Sequence, residues 1–165
     1  MATSTATIDD DISIDTDRLI NSKVQDEYVC PICRSLLWKP VCCKGCKTIF
    51  CKKCIREWLL QKDCKNRCPM NCKKYQEESP PPILNSLLSK LELKCCYKTF
   101  GCQETILYES IERHENECDY QTKQCRGCEN KFLLKDIRQH EEYCDKIDIH
   151  CDLCQLYIRK KNIRL

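Results

Sequence analysis

Nineteen of the 165 residues are cysteine, and most of them fall in short pairs. That density exceeds the roughly 8–10% at which a short chain reads as cross-linked by disulfides or metal, and it limits the fold more than any hydrophobic pattern does. Three Phe, two Trp and seven Tyr supply little apolar area to offset chain entropy, so bonds through sulfur must stand in for a large core. Disulfides are one such bond, and they need an oxidising compartment. The opening stretch MATSTATIDDDISIDTD has neither the basic nor the apolar segment of a secretion signal. No apolar run approaches the ~20 residues of a membrane span. The expected setting is therefore a reducing cytoplasm or nucleus with no membrane partner, where repeated C-x2-C pairs read as zinc sites.

Charge has to be corrected for that metal. The formal net charge of +3 counts every cysteine as neutral, whereas zinc ligands are thiolates. Fourteen Cys and two His binding four Zn²⁺ bring +3 to −3, so the basic balance gives no support for a nucleic-acid partner, and none is expected. Residues 1–26 carry six Asp against Arg18 and Lys23. Their composition predicts a solvated, disordered acidic tail.

The first cysteine block contains three C-x2-C pairs, Cys30/Cys33, Cys43/Cys46 and Cys51/Cys54, and a fourth close pair, Cys68/Cys72, thirteen residues on. Each short pair forms a knuckle that turns two sulfurs toward one ion about 2.3 Å away, and eight thiolates make two tetrahedral sites. Spacing alone leaves open which pairs share an ion. Cys42 and Cys64 are left over as ordinary thiols.

This block, CPICRSLLWKPVCCKGCKTIFCKKCIREWL with the later CPMNC, resembles the RING family. The resemblance implies a cross-brace in which Cys30, Cys33, Cys51 and Cys54 hold one zinc and Cys43, Cys46, Cys68 and Cys72 the other. Where the family usually has His this chain has Cys46, and the last pair is one residue longer than the usual C-P-x-C. The family's groove for a ubiquitin-conjugating enzyme maps onto Ile32 between the first two ligands, Trp58 on the helix after the third pair, and Pro69 after the seventh ligand. Lys73, just past the eighth ligand, matches the basic residue that holds donor ubiquitin. Such a ligase positions a charged thioester and needs no nucleophile of its own, so no catalytic residue is assigned.

Beyond Lys74, three consecutive prolines stiffen the chain. Ile83, Leu84, Leu87, Leu88 and Leu91 then recur at helical spacing, predicting a short amphipathic helix that covers a zinc module. A period of 26 residues follows, set by Cys102, Cys128 and Cys154. Cys102 precedes His114 and Cys118 at the offsets at which Cys128 precedes His140 and Cys144. Ile106, Phe132 and Ile158 share one offset, and Ile111, Ile137 and Ile163 another. Ser110, Asp136 and Asn162 stand where helix N-caps are expected. A His and a Cys four residues apart share a helix face. Facing an upstream pair, Cys125/Cys128 in one unit and Cys102 with Cys95 or Cys96 in the other, they complete three-cysteine, one-histidine sites.

This region resembles the TRAF-type zinc fingers, whose K-C-x-Y…G-C opening matches LKCCYKTFGC and implies Cys95 as the ligand. The expected fold is thus a set of small zinc-stabilised α+β modules, a RING-like cross-brace followed by tandem TRAF-type ββα fingers. The expected organisation is a tail over 1–26, a RING over 27–76, a proline-rich linker and helix over 77–91, and fingers over 92–119 and 120–145. An incomplete third finger over 146–165 holds Cys151 and Cys154. Two zinc ions are expected in the RING and one in each complete finger. The implied partners are a ubiquitin-conjugating enzyme, ubiquitin, and proteins held by the fingers. The alternative is a non-catalytic adaptor or structural subunit of a larger assembly. Counting twelve positions from Cys154 lands one past Leu165, so the repeat predicts a longer natural polypeptide whose next residue is His, with Cys four positions later.

Overall fold

The computed structural model describes residues 12–20, 25–62, 64, 66–150 and 157–159. Its strands and helices are short, because each spans little more than the gap between two cysteine-bearing turns. By compactness the chain divides into Met1–Lys94 with Thr105–Glu112, and Cys95–Glu104 with Arg113–Leu165.

In the first unit β1 (Pro40–Cys43) pairs antiparallel with β2 (Ile49–Cys51), setting Val41 opposite Phe50. A third strand, β3 (Glu77–Glu78), adds to the other edge of β1. Glu77 and Glu78, expected in the linker, therefore pair in this sheet. Helix α1 (Lys52–Leu60) follows β2 directly and buries Ile55 completely. Ile14, Leu36, Phe50 and Ile55 are fully buried in this unit, as is Leu93, and Leu37 and Leu88 are 1% exposed.

The acidic tail expected over 1–26 is corrected by residues 12–20, which lie on this unit. Ile14 is fully buried and bridges Leu36, and Leu19 bridges Leu93. The Ile20 amide donates to the Glu92 carbonyl at 2.9 Å, and Arg18 Nε donates to the Lys94 carbonyl at 2.8 Å. The physical reason is a period-two pattern, Ser13–Ile14–Asp15, that sends the isoleucine inward and its polar neighbours out. Averaged composition hides that alternation.

Helix α2 (Pro82–Leu88) begins on a proline at its first position, where the missing N–H costs nothing. Leu84, Leu88 and Leu91 are buried, whereas Ile83 and Leu87 remain 65% and 39% exposed. The five apolar residues thus divide between two faces instead of covering a module together. The hairpin of β4 (Glu92–Lys94) and β5 (Thr105–Leu107) joins the same unit through Tyr108. Its hydroxyl donates to the Leu37 carbonyl at 2.7 Å, and its ring meets Trp38 edge-on at 5.2 Å.

In the second unit the chain makes a 3₁₀ turn over Cys96–Phe100, and Gly101 follows at φ 113°. Helix α3 (Ile111–Glu117) leads to a hairpin of β6 (Thr122–Gln124) and β7 (Lys131–Leu133), then to α4 (Leu134–Tyr143). A last hairpin pairs β8 (Asp148–His150) with β9 (Tyr157–Arg159). Ile106, Phe132 and Ile158 each occupy the middle of the second strand of a hairpin.

The expected caps Ser110 and Asp136 do not start their helices. Ser110 ends a 3₁₀ turn, Tyr108–Ser110, that runs straight into α3, and the extended residues ahead of that turn and of α4 are Leu107 and Leu133, neither with a side-chain cap. Backbone carbonyls do the capping instead: the Tyr108 amide donates to Leu91 at 3.0 Å, Leu134 to Gln121 at 2.8 Å and Lys135 to Asp119 at 3.1 Å. Asp136 lies in the first turn of α4, where a carboxylate favours the helix dipole. The third expected cap, Asn162, lies outside the described residues, as do Ile163, Cys151 and Cys154.

Candidate metal centres

Four clusters of cysteine and histidine side chains form among the described residues, each with its four ligand atoms within 4.8 Å of one another. The first joins Cys30 and Cys33, in the turn ahead of β1, to Cys51 and Cys54, where β2 runs into α1. The second joins Cys43 and Cys46, at the end of β1, to Cys68 and Cys72. The third holds Cys95, Cys102, His114 and Cys118, and the fourth Cys125, Cys128, His140 and Cys144. Of the two adjacent cysteines, Cys95 enters the cluster and Cys96 stays exposed.

The spacing fits one ion. Tetrahedral zinc with 2.3 Å bonds sets its sulfur ligands about 3.8 Å apart. The Sγ–Sγ separations are 4.0 Å for Cys33–Cys51, 3.7 Å for Cys46–Cys68, 3.8 Å for Cys95–Cys118 and 3.7 Å for Cys125–Cys144. His114 Nε2 lies 3.2 Å from Cys95 Sγ and 3.6 Å from Cys102 Sγ, and His140 Nε2 lies 3.3 Å from Cys128 Sγ. These are edges of a ligand tetrahedron, and all-thiolate and three-thiolate, one-imidazole sets are those of structural zinc.

Backbone amides point at the same sulfurs. Cys51 Sγ accepts from the Trp38 amide at 3.2 Å, Cys30 Sγ from Cys51 at 3.4 Å, Cys95 Sγ from Tyr97 at 3.3 Å and Cys125 Sγ from Gly127 at 3.4 Å. Such donors favour the thiolate.

Without a cation, however, the sulfurs compete. Hydrogen bonding with Cys51 holds the Cys30 thiol down at about 4, while that same bond and burial drive Cys51 far up. Burial pushes Cys54 and Cys68 to about 12. Cys46 is also raised by burial, but hydrogen bonds led by Thr48 overcome this and lower it to about 6. Packed thiols of this kind share little negative charge among themselves, and a divalent ion removes the conflict. The side chains present therefore fit Zn²⁺, and the described residues contain four Cys/His zinc-binding sites.

The two histidines are oriented by different devices. His114 Nδ1 lies 3.3 Å from Glu104 Oε2, the carboxylate–imidazole arrangement that aims Nε2 at a metal. His140 instead stacks on Phe132, with ring centroids 3.8 Å apart and planes 20° from parallel. Sequence reading missed Glu104. Its counterpart one period later is Asn130, so the repeat gives no signal for it.

Cys42 and Cys64 stay out of the clusters. Cys42 is buried, its thiol raised chiefly by that burial and donating to the Cys43 carbonyl at 3.7 Å. Cys64 donates to Gln61 Oε1 at 3.6 Å. Ile32, Trp58 and Pro69 are half-buried, and Lys73 is exposed. The Trp58 indole N–H donates to the Arg67 carbonyl at 3.0 Å, tying α1 to the turn that carries Cys68 and Pro69. The extra residue in that turn is taken up by Asn71 in the left-handed region, φ 62°, whose amide donates to the Cys68 carbonyl at 2.9 Å.

Among the described residues no helix is long and apolar enough to cross a membrane. No protein-family profile matches the chain. Curated relatives do. The chain is 30% identical over 105 residues to the E3 ubiquitin-protein ligase NRDP1 of Danio rerio, an overlap of 62% of this chain and 32% of that protein. It is 29% identical over 104 residues to NRDP1 of Homo sapiens, covering 61% and 32%. It is 29% identical over 106 residues to the E3 ubiquitin-protein ligase PDZRN3 of Homo sapiens, covering 62% and 10%. The chain thus spans about a third of the length of the NRDP1 proteins it matches, and these relatives are named as ubiquitin ligases.

Proposed function

We propose that this chain is the zinc-binding part of a RING-type ubiquitin ligase. Its first module, residues 27–76, recruits a ubiquitin-conjugating enzyme through Ile32, Trp58 and Pro69, with Lys73 beside donor ubiquitin. The observation that carries this reading is the Trp58 bond to Arg67, which joins helix and turn into one surface bearing both Trp58 and Pro69. The names of the relatives support it. We assign residues 92–119 and 120–145 to TRAF-type fingers that contact protein partners, and 146–165 to the start of a third. The module works by holding a charged enzyme in a reactive arrangement, in the cytoplasm or nucleus.

The lengthened fourth pair favours a second reading, a non-catalytic adaptor, because the turn that absorbs the extra residue leaves Met70 51% exposed beside Pro69. Ubiquitin-chain formation by the zinc-loaded chain with a panel of conjugating enzymes separates the two. Chains with at least one enzyme, lost in Ile32→Ala and Trp58→Ala variants that keep their zinc, support the ligase. No chains with any enzyme leave the adaptor.

A further inference from the structure

The fourth metal cluster's module carries a concave surface that metal binding does not use. It opens between β6 and α4, with a volume of about 750 Å³. Leu134 and Ile137, both half-buried, supply its apolar floor. Four cations line it, Lys123, Arg126, Lys135 and Arg138, against only two carboxylates, Asp119 and Glu141.

One cation and one carboxylate cancel. Arg126 Nε lies 3.2 Å from Glu141 Oε1 and its Nη2 2.9 Å from Oε2, a two-pronged pair. Lys135 Nζ sits 4.5 Å from the centre of the Tyr120 ring, which positions the ammonium without neutralising it. Lys123 and Arg138 are exposed, with no carboxylate at ion-pair distance among the described residues. Three cations therefore face one remaining carboxylate. With zinc in place the adjacent three-thiolate site adds one residual negative charge, which leaves the surface positive on a chain whose corrected net charge is −3.

The lining also decides between acidic ligands. Single-stranded nucleic acid is held by aromatic faces on which bases stack, and the floor here is aliphatic, with the nearby Tyr120 ring faced by Lys135. Cations around an aliphatic floor complement carboxylates that flank an aliphatic side chain. We propose that this surface docks an acidic peptide segment of a protein partner, with carboxylates on Lys123, Lys135 and Arg138 and one aliphatic side chain on Leu134 and Ile137. The inference does not rest on the ligase reading, since binding is measured without ubiquitin.

The test is fluorescence anisotropy of the full zinc-loaded chain with a short labelled peptide alternating Glu and Leu. Controls are the same peptide with Gln for Glu, a peptide of Glu alone, and an oligothymidine. The Glu/Leu peptide binds best, weakens with added salt, and weakens roughly tenfold in Lys123→Gln/Arg138→Gln. Ile137→Ser weakens the Glu/Leu peptide while leaving the Glu-only peptide little changed. Retained zinc in each variant excludes unfolding as the cause. Equal or absent binding by wild type and variants overturns the proposal, and so does tighter binding of the oligothymidine.

Discussion

Glu104 stands behind His114, its Oε2 3.3 Å from the imidazole Nδ1, while Nε2 of the same ring faces Cys95 at 3.2 Å. A carboxylate in this place fixes the tautomer and the aim of the ring, and removing such a partner typically costs 10–100-fold in metal affinity. Glu104→Ala should lower zinc affinity at the third cluster by about that factor, read by competition with a chromophoric chelator. The fourth cluster should be unaffected. Phe132→Ala should do the reverse, because its stacking orients His140. Equal loss at both clusters in either variant would contradict this division.

Gly101 sits at φ 113°, and a Cβ there would come within 2.8 Å of Tyr120 Cε1. Gly101→Ala should combine a left-handed penalty of about 1–2 kcal/mol with a shift of the Tyr120 ring. Faster zinc loss from the third cluster is the expected outcome, and unchanged release kinetics would show that the turn over Cys96–Phe100 is not held as described.

The Tyr108 hydroxyl donates to the Leu37 carbonyl. Tyr108→Phe removes the donor and leaves that acceptor in a buried setting, at a cost of about 1 kcal/mol. Amide exchange in β4 and β5 should accelerate in the variant. Unaltered exchange would mean that the hydroxyl's bond to Leu37 does not hold the hairpin.

Trp58→Phe keeps an aromatic ring but loses the bond to Arg67. If that bond braces the surface, conjugating-enzyme binding should fall in Trp58→Phe to between wild type and Trp58→Ala, with zinc retained. Wild-type affinity in the Phe variant would leave the ring's apolar contact as the whole effect.

Metal chemistry made much of this legible in sequence. Zinc demands ligands in close pairs, so Cys30/Cys33, Cys125/Cys128 and their kind announce the clusters, and the period of 26 marks the middle strand residues Ile106 and Phe132. What escaped depends on paths between distant segments. Ile14 is buried by Leu36, 22 residues on, inside a stretch whose average composition is acidic. The 3₁₀ turn that leads into α3, and α4 itself, are entered through backbone carbonyls of Leu91, Gln121 and Asp119, and no side-chain pattern records a carbonyl. Spacing alone leaves Cys95 and Cys96 open, the family opening points to Cys95, and Cys95 is the one that stands in the cluster.

The central claim is that metal, and not the small core, holds this fold, since structural zinc contributes on the order of 10–16 kcal/mol apparent binding energy in small modules. Its most direct test is native mass spectrometry of the reduced chain before and after a strong chelator, followed in parallel by circular dichroism. The account predicts four zinc ions from the four clusters and loss of folded signal as they are removed. A chain that binds no zinc, or that keeps its spectrum and protease resistance once stripped, would contradict it.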